Sequence, residues 1–320
     1  MRRKIGSLLL RPETGAFISA LAVVTAFSSL SPYFLTPLTI LGILTIASEL
    51  GIVTVGVALL LISGEFNLAV SSIYCLSPII LTALANNGVN AVLAAVMGLL
   101  VAAAVGYAEG LIVVKTRVHS FIVSLGFMMF LRGVDLTITG GVPLDYYGPE
   151  SLLYVFNGRL LGNARTSLLW LIGVIVFFTA ILHATKYGNW CFATGGNPTV
   201  AREMGVRTDK VKMINFIISS VLAGLAGYLS LSRISVVDPT LGYGLELESI
   251  AAAVIGGCSL FGGFGSMIGA SLGALIIAMT RVGLVLAGAN PYWYQAFLGL
   301  ILLASIIINI RIMKRILTFR

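Results

Sequence analysis

Long apolar segments separated by short turns run through almost the whole of this 320-residue sequence. Most of them reach the roughly 20 residues that a helix needs to cross the hydrocarbon core of a bilayer. Hydrophobic residues make up 58% of the chain and charged residues 10%, against about 25% charged in a typical soluble domain. A chain with so few charged residues cannot cover a water-facing surface, so the sequence predicts an integral protein in contact with membrane lipid. The ten segments are approximately 15–31, 39–62, 68–86, 89–114, 119–138, 167–183, 212–231, 247–260, 266–287 and 291–310.

Helices are expected in these segments, because lipid offers no hydrogen-bond partner to an exposed backbone. The alternating strands of about ten residues that mark a membrane β-barrel are not seen. We therefore predict an all-α, polytopic membrane protein with a single transmembrane domain over 1–320. About ten transmembrane helices are expected, or eight if the weakest segments, 68–86 and 247–260, do not cross. The second of these is short enough to be a half-helix or a re-entrant element.

Lysine and arginine predict the orientation, because cytoplasmic loops are enriched in them. With the N-terminus inside and alternating spans, fifteen of the 20 Lys and Arg residues fall inside, three fall outside, and Arg132 and Arg281 lie within segments. Both termini are then cytoplasmic, with ten spans or with eight. This distribution explains the net charge of +8 without a basic face for nucleic acid. Two loops are long: an extracytoplasmic one at about 139–166 and a cytoplasmic one at about 184–211.

Residue patterns that carry catalysis or hold cofactors are not found. The sequence has no HExxH motif, no recognisable Ser/His/Asp set and no clustered carboxylates, so no catalytic residues and no enzyme activity are expected. The phosphate-binding pattern GxxxxGK followed by Ser or Thr is missing, which places any ATP hydrolysis on a separate chain. Cys75, Cys191 and Cys258 form no CxxC pattern and are interpreted as packing residues, so no metal and no cofactor is expected.

The cytoplasmic loop contains the pattern of a complete short helix. Asn197 is a good N-cap, Pro198 suits the first helical position, and Gly205 suits a left-handed stop. A helix this short is unstable alone in water, so it must pack against something. Two interpretations remain: a surface helix packed on its own bundle, or a docking helix for a cytoplasmic partner.

Ionisable residues inside apolar segments are costly and are functional candidates. Arg132 and Asp135 are three residues apart, share a helical face and are expected to form an intramembrane pair. Glu49 has no partner nearby in sequence, so it either faces an aqueous pathway or pairs with another helix. The full set is Glu49, Glu109, Arg132, Asp135 and Arg281.

Glycines recur every four residues near the C-terminal end, at Gly265, Gly269 and Gly273. Small residues at this spacing let two helix backbones approach closely. We expect these glycines at a packing contact, within one protomer or at a dimer axis, and no chemistry from them.

Four blocks of the sequence resemble the ribose-type permeases of ABC importers, the inner-membrane components of binding-protein-dependent transport systems. The segment Ser63–Ser72 resembles the family's SGGxDLSVGS signature. Residues 188–229 are similar to the region that couples these permeases to their ATPase, and 121–134 and Leu245–Gly263 match two further blocks. The similarity runs in order from about residue 39 to 310.

The resemblance implies a passive, multi-pass permease subunit of the plasma membrane that moves a small sugar into the cytoplasm. It implies three protein partners: a cytoplasmic ATP-binding subunit, an extracytoplasmic solute-binding protein, and a second permease in a homodimer or heterodimer. The residues that would couple to the ATPase are Ala201, Arg202, Glu203, Met204 and Gly205.

The polar segment after the second apolar segment is expected to line the inner gate of the solute pathway, because polar backbone at membrane depth is tolerated only beside protein or water. The candidate pathway and gate residues are Glu65, Asn67, Ser71, Ser72 and Glu49. The alternative is an ordinary turn in which Asn67 caps the next helix. The signature usually has Asp, Ser and Gly where this chain has Asn67, Ala69 and Ser71, so residue roles do not transfer directly.

Other transport functions stay open. More distant relatives of these permeases carry nucleosides or branched-chain amino acids. A self-contained secondary transporter would need an ion or proton site at mid-membrane, for which Glu49 or the Arg132 and Asp135 pair is available. The capped cytoplasmic helix favours a permease driven by a separate ATPase.

Overall fold

The apolar segments fold into helices, so that every backbone polar group within them finds its partner in the same segment. The computed structural model describes residues 12–160, 164–301 and 303. The helices are α1 Pro12–Leu30, α2 Pro37–Ile62, α3 Val70–Asn86, α4 Ala91–Thr116, α5 Ser120–Thr139, α6 Glu150–Asn157, α7 Thr166–Ala184, α8 Lys186–Gly196, α9 Pro198–Glu203, α10 Thr208–Ile234, α11 Leu245–Ile255, α12 Met267–Leu286 and α13 at 293–301.

Nine of the ten predicted segments each correspond to one helix, and the tenth, 291–310, lies only partly within the described residues, where it contains α13. Six of these helices are long and apolar enough to cross a membrane, namely α2, α4, α5, α7, α10 and α12. The helices α1 and α3 are apolar but shorter, and α11 has 11 residues. The chain is therefore a polytopic helical membrane protein. The predicted cytoplasmic termini lie outside the described residues.

Helix α2 forms the centre of the bundle and is buried along most of its length against α10, α12, α7 and α11. Glycine permits the closest of these contacts: a Cβ added to Gly56 would lie 2.9 Å from the Cα of Ser219 on α10. The surrounding helices turn large apolar side chains outward, as lipid contact requires. Examples are Val92, Leu93 and Leu100 on α4, Phe121, Met129 and Phe130 on α5, and Leu169, Val176 and Phe177 on α7.

Two segments between helices meet on one side of the bundle. Strand β1, Leu144–Asp145, pairs antiparallel with β2, Val236–Val237, and thereby joins the segment after α5 to the segment after α10. The side chain of Asn86 donates a hydrogen bond to the carbonyl of Asp145 at 2.7 Å, which adds the turn after α3. We call the side on which β1 and β2 pair the hairpin side, although the two strands are not consecutive in the chain. The loop predicted at about 139–166 thus contains a strand and a helix, α6.

The opposite side, which we call the α9 side, gathers α8, α9 and the turns at 63–69 and 256–266. The amide of Gly263 donates to the carbonyl of Ile62 at 2.9 Å, and Gly64 lies against Gly195. Helix α11 and the turn after it lead from the hairpin side to the α9 side, and α12 returns. Where α11 and α12 cross, a Cβ on Gly269 or Gly273 would collide with the backbone of α11 or its C-cap, and one on Gly265 would lie 2.7 Å from Ile62.

Candidate transport pathway and coupling surface

Helix α9 has the start and stop that the sequence predicts. The Asn197 side chain accepts hydrogen bonds from the amides of Thr199 and Val200, each at 3.1 Å, and Pro198 follows it. Gly205, one residue beyond the C-cap, has φ of +85°, a conformation that glycine adopts without strain. Ala201 is buried against the protein.

Two apolar side chains are exposed on α9 and at its C-cap. Met204 is 80% exposed, and Val200 is also exposed. Arg202 turns aside to form an ion pair with Asp209 at 2.7 Å, and Glu203 is exposed. An exposed apolar face between charged neighbours is suited to insertion into a cleft on another protein.

A polar cavity of about 260 Å³ lies beside α9, and Glu65 is one of the residues that line it. Glu65 forms an ion pair with Lys212 at the start of α10. The other charged or titratable residues that line this cavity are Arg117, His119, Arg202 and Asp209. Glu65, one of the predicted gate residues, thus borders a cavity on the α9 side.

Asn67 does not cap α3. The N-cap of α3 is Ala69, which makes no side-chain capping bond. The Asn67 amide instead donates to Glu109 of α4, with 3.2 Å between Nδ2 and Oε2, and both residues are fully buried. The remaining oxygens, Asn67 Oδ1 and Glu109 Oε1, have no hydrogen-bond partner among the residues that the structure describes.

Ser71 and Ser72 are buried between α3 and α5. The hydroxyl of Ser72 donates to the carbonyl of Met128 at 2.8 Å, and that of Ser71 lies 3.4 Å from Arg132 Nη2, which donates to it. These residues, with Asn67, contact neighbouring helices of the same protomer rather than an open surface.

Glu49 pairs with another helix, which was one of its two expected environments. Arg233, in the last turn of α10, donates to Glu49 through Nε at 2.7 Å and through Nη2 at 3.2 Å. The hydroxyl of Tyr74 lies 3.3 Å from the same carboxylate. This bidentate ion pair joins α2 and α10 near the hairpin side.

A basic cavity of about 510 Å³ opens on the hairpin side, where α6 and the start of α7 meet the end of α10. Arg159, Arg165 and Arg233 line it, with Glu150 as a single acidic residue. Burial, reinforced by the charges of Arg159 and Arg233, lowers the pKa of Arg165 below its ordinary value. The three residues are the same three arginines that the sequence assigns to the extracytoplasmic side.

The pair expected between Arg132 and Asp135 is not formed as a direct contact. Arg132 extends across to α11, where its Nη2 lies 3.8 Å from Glu246 Oε2, and its guanidinium lies 4.5 Å from the centre of the Tyr243 ring. Asp135 is buried, and within the described ranges neither of its carboxylate oxygens has a hydrogen-bond partner. The spacing of Arg132 and Asp135 in the sequence correctly places both on α5. It cannot show that folding brings the Glu246 carboxylate of α11 close to Arg132.

Arg281 has an equivalent partner. Its Nη2 lies 3.1 Å from Glu248 Oε1, and its guanidinium lies over the ring of Tyr294 at 4.7 Å. Arginines from α5 and α12 therefore hold the two acidic residues in the first turn of α11. The sequence argument missed Glu246 and Glu248 as partners, although both lie in the block Leu245–Gly263 on which the family resemblance rests.

Metal chemistry finds no support in the described residues, where no group of three or more His, Cys, Asp or Glu side chains lies close enough to hold a metal ion. The three cysteines are buried.

Comparison with known proteins identifies one family model that matches most of the chain. Residues 39–306 match the family described as "Branched-chain amino acid transport system / permease component". No solved structure matches the chain.

Individual relatives align over most of their length. The ribose import permease protein RbsC of Escherichia coli K12 is 35% identical over 302 residues, which are 93% of this chain and 93% of the relative. The xylose/arabinose import permease protein XylH of Sulfolobus acidocaldarius is 36% identical over 79% of this chain and 72% of its own length. The autoinducer 2 import system permease protein LsrC of Photorhabdus luminescens is 31% identical over 94% of this chain and 90% of its own length.

Proposed function

The chain belongs to the family of branched-chain amino acid transport system permease components, and from this premise we propose that it is the permease subunit of an ATP-driven importer of a small sugar. The observation that carries the solute class is the similarity to permeases named for ribose and for xylose/arabinose, at 35% and 36% identity. The match to the ribose permease covers 93% of both chains, so it extends over the whole bundle rather than one motif.

The proposed topology has ten membrane crossings, with the α9 side in the cytoplasm. The ends of successive helices alternate between the hairpin side and the α9 side, which supports ten crossings in which α11 and the turn after it make one. The excess of Lys and Arg on the α9 side supports the orientation. The predicted loops then become a cytoplasmic region around 184–211 and an extracytoplasmic region around 139–166.

Three partners are proposed. An ATP-binding subunit would receive α9 and its exposed Met204, because this chain has no phosphate-binding loop of its own. A solute-binding protein would dock at the basic cavity of Arg159, Arg165 and Arg233, which suits an acidic surface. A second permease, identical or different, would complete the pathway.

Import of a nucleoside or a branched-chain amino acid is the competing proposal, and the family description itself favours the amino acid. A secondary transporter is a further alternative. Of the two ion or proton sites considered for it, Glu49 already pairs with Arg233, whereas the buried Asp135 carboxylate has no hydrogen-bond partner among the described residues.

Reconstituted uptake tests the proposal. The chain is placed in vesicles with the ATP-binding subunit and solute-binding protein of the same organism, and uptake of labelled D-ribose, D-xylose, L-arabinose, uridine and L-leucine is measured. We expect uptake of one of the sugars that needs internal ATP and survives collapse of ion gradients. Uptake of L-leucine or uridine alone would reassign the solute, and uptake abolished by collapsing the gradients would favour the secondary transporter.

A further inference from the structure

A partly exposed charged cluster lies within the membrane-spanning part of α5. Arg132 is followed by seven further residues of α5, so it lies about 10 Å below the end of the helix. The side chains of Arg132 and Glu246 are 21% and 12% exposed, and Tyr243 is 72% exposed. Charged groups at this depth face protein or water rather than lipid. This surface of α5 and α11 is therefore covered by something polar.

The backbone fixes Tyr243 in this cluster. Gly242 and Gly244, on either side of it, have φ of +82° and +84°, and α11 begins directly afterwards. A Cβ on Gly242 would lie 2.7 Å from the carbonyl of Ser71, so this turn packs tightly against α3. Helix α11 has only 11 residues, and in secondary transporters the ends of such interrupted helices form the solute site.

The cluster has the chemistry of a site for a polyhydroxylated ring. The Tyr243 ring offers an exposed apolar face, and Arg132 makes one side-chain hydrogen bond, to Ser71, although a guanidinium has five donors. The 3.8 Å separation of Arg132 Nη2 and Glu246 Oε2 is longer than a hydrogen bond, and Oε2 is buried and has no hydrogen-bond partner among the described residues. A ligand therefore reaches the carboxylate through the 12% of the Glu246 side chain that is exposed. A sugar hydroxyl can accept from the guanidinium and donate to the carboxylate at the same time.

We propose that Arg132, Tyr243 and Glu246 form a solute-contacting site on the translocation pathway between α5 and α11, where a neutral sugar stacks on Tyr243 and bridges the Arg132–Glu246 pair. This inference rests on the proposed function for the identity of the ligand. The claim that this surface faces water is independent of the proposed function.

Cysteine labelling tests whether the surface faces water. Tyr243→Cys is compared with Phe130→Cys, which lies two residues from Arg132 on α5 and so points to the opposite side of that helix. The three natural cysteines are buried and give a low background. We expect a hydrophilic, membrane-impermeant thiol reagent to modify position 243 and not position 130 in the assembled complex. Equal protection of both positions would overturn the pathway assignment and indicate a lipid or subunit contact.

Uptake kinetics test the contact with the sugar. With the sugar that the wild-type complex transports best, Tyr243→Ala is expected to raise KM about fivefold to tenfold, whereas Tyr243→Phe keeps the ring and changes KM less than about twofold. Glu246→Gln is expected to raise KM as well, with unchanged membrane abundance. A KM unaffected by Tyr243→Ala would refute the site while leaving sugar import intact, and failure of every sugar as a substrate would refute the proposed function while the labelling result stands.

Discussion

At the scale of single residues, Asn67 and Glu109 share one hydrogen bond, while Asn67 Oδ1 and Glu109 Oε1 have no partner in the described part of the chain. A protonated Glu109 carboxyl group would complete the pair, because its O–H can donate to Asn67 Oδ1. Glu109→Gln supplies the same donor permanently, so we expect an unchanged melting temperature in detergent. Glu109→Ala should lower stability by about 1–3 kcal/mol by leaving the Asn67 amide unpaired. Equal destabilisation by Gln and Ala would show that the pair needs a charged carboxylate.

The Glu49–Arg233 pair leads to a second prediction at this scale. Removing one partner of a buried ion pair leaves the other charge uncompensated. Glu49→Gln should therefore cost about 2 kcal/mol, a value reduced because the Arg233 side chain is one-third exposed. The double variant Glu49→Gln with Arg233→Gln should recover part of this loss. Thermal unfolding of the purified variants measures both effects, and a double variant less stable than either single one would contradict the pairing.

At the scale of elements, α9 has caps that can be altered separately from its exposed face. Gly205→Val forces a β-branched residue into positive φ and should distort the end of the helix, so uptake should fall severalfold while the protein still inserts. Asn197→Ala should cost about 1 kcal/mol of local stability through loss of the cap. Gly126→Ala is the matched control, because its added Cβ meets nothing and Gly126 lies in a helix.

Cross-linking tests the partner of α9 directly. A cysteine at Met204 should form a cross-link to the ATP-binding subunit in an active complex, since this side chain is 80% exposed. A complex that transports solute but gives no cross-link from this position would count against α9 as the docking helix.

Helices were predictable from the sequence because lipid leaves the backbone few alternatives, and the caps of α9 were predictable because capping depends on neighbours in the chain. Partners brought together by folding were not. Arg132 has a carboxylate three residues away, yet it extends to Glu246, which is more than 100 positions distant. Glu49 has no local partner and finds Arg233 on α10. Within the membrane, a charge is recognisable from sequence, but its partner depends on which helices are adjacent.

At the scale of the whole molecule, the alternation of helix ends predicts that the C-terminus and the segment 143–150 lie on opposite sides of the membrane. A reporter that is active only in the cytoplasm should work when fused after Arg320 and fail when inserted within 143–150. The reverse pattern would invert the orientation, and activity at both positions would contradict the five crossings expected between them, made by α7, α10, α11, α12 and α13.

The contact among the glycines on the α9 side has a mechanical consequence. Gly195, at the end of α8, lies so close to Ile62 and Gly263 that a Cβ would collide with their backbones. Because this junction consists largely of main-chain atoms, no side-chain rotation is available there to absorb a displacement. If an ATPase displaces α9, the 256–266 turn and α11 should therefore move with it as a rigid body. Tyr243 and Glu246 lie at the other end of α11. A displacement that begins at α9 would therefore change the distances between these residues and a bound sugar near the opposite face of the bundle.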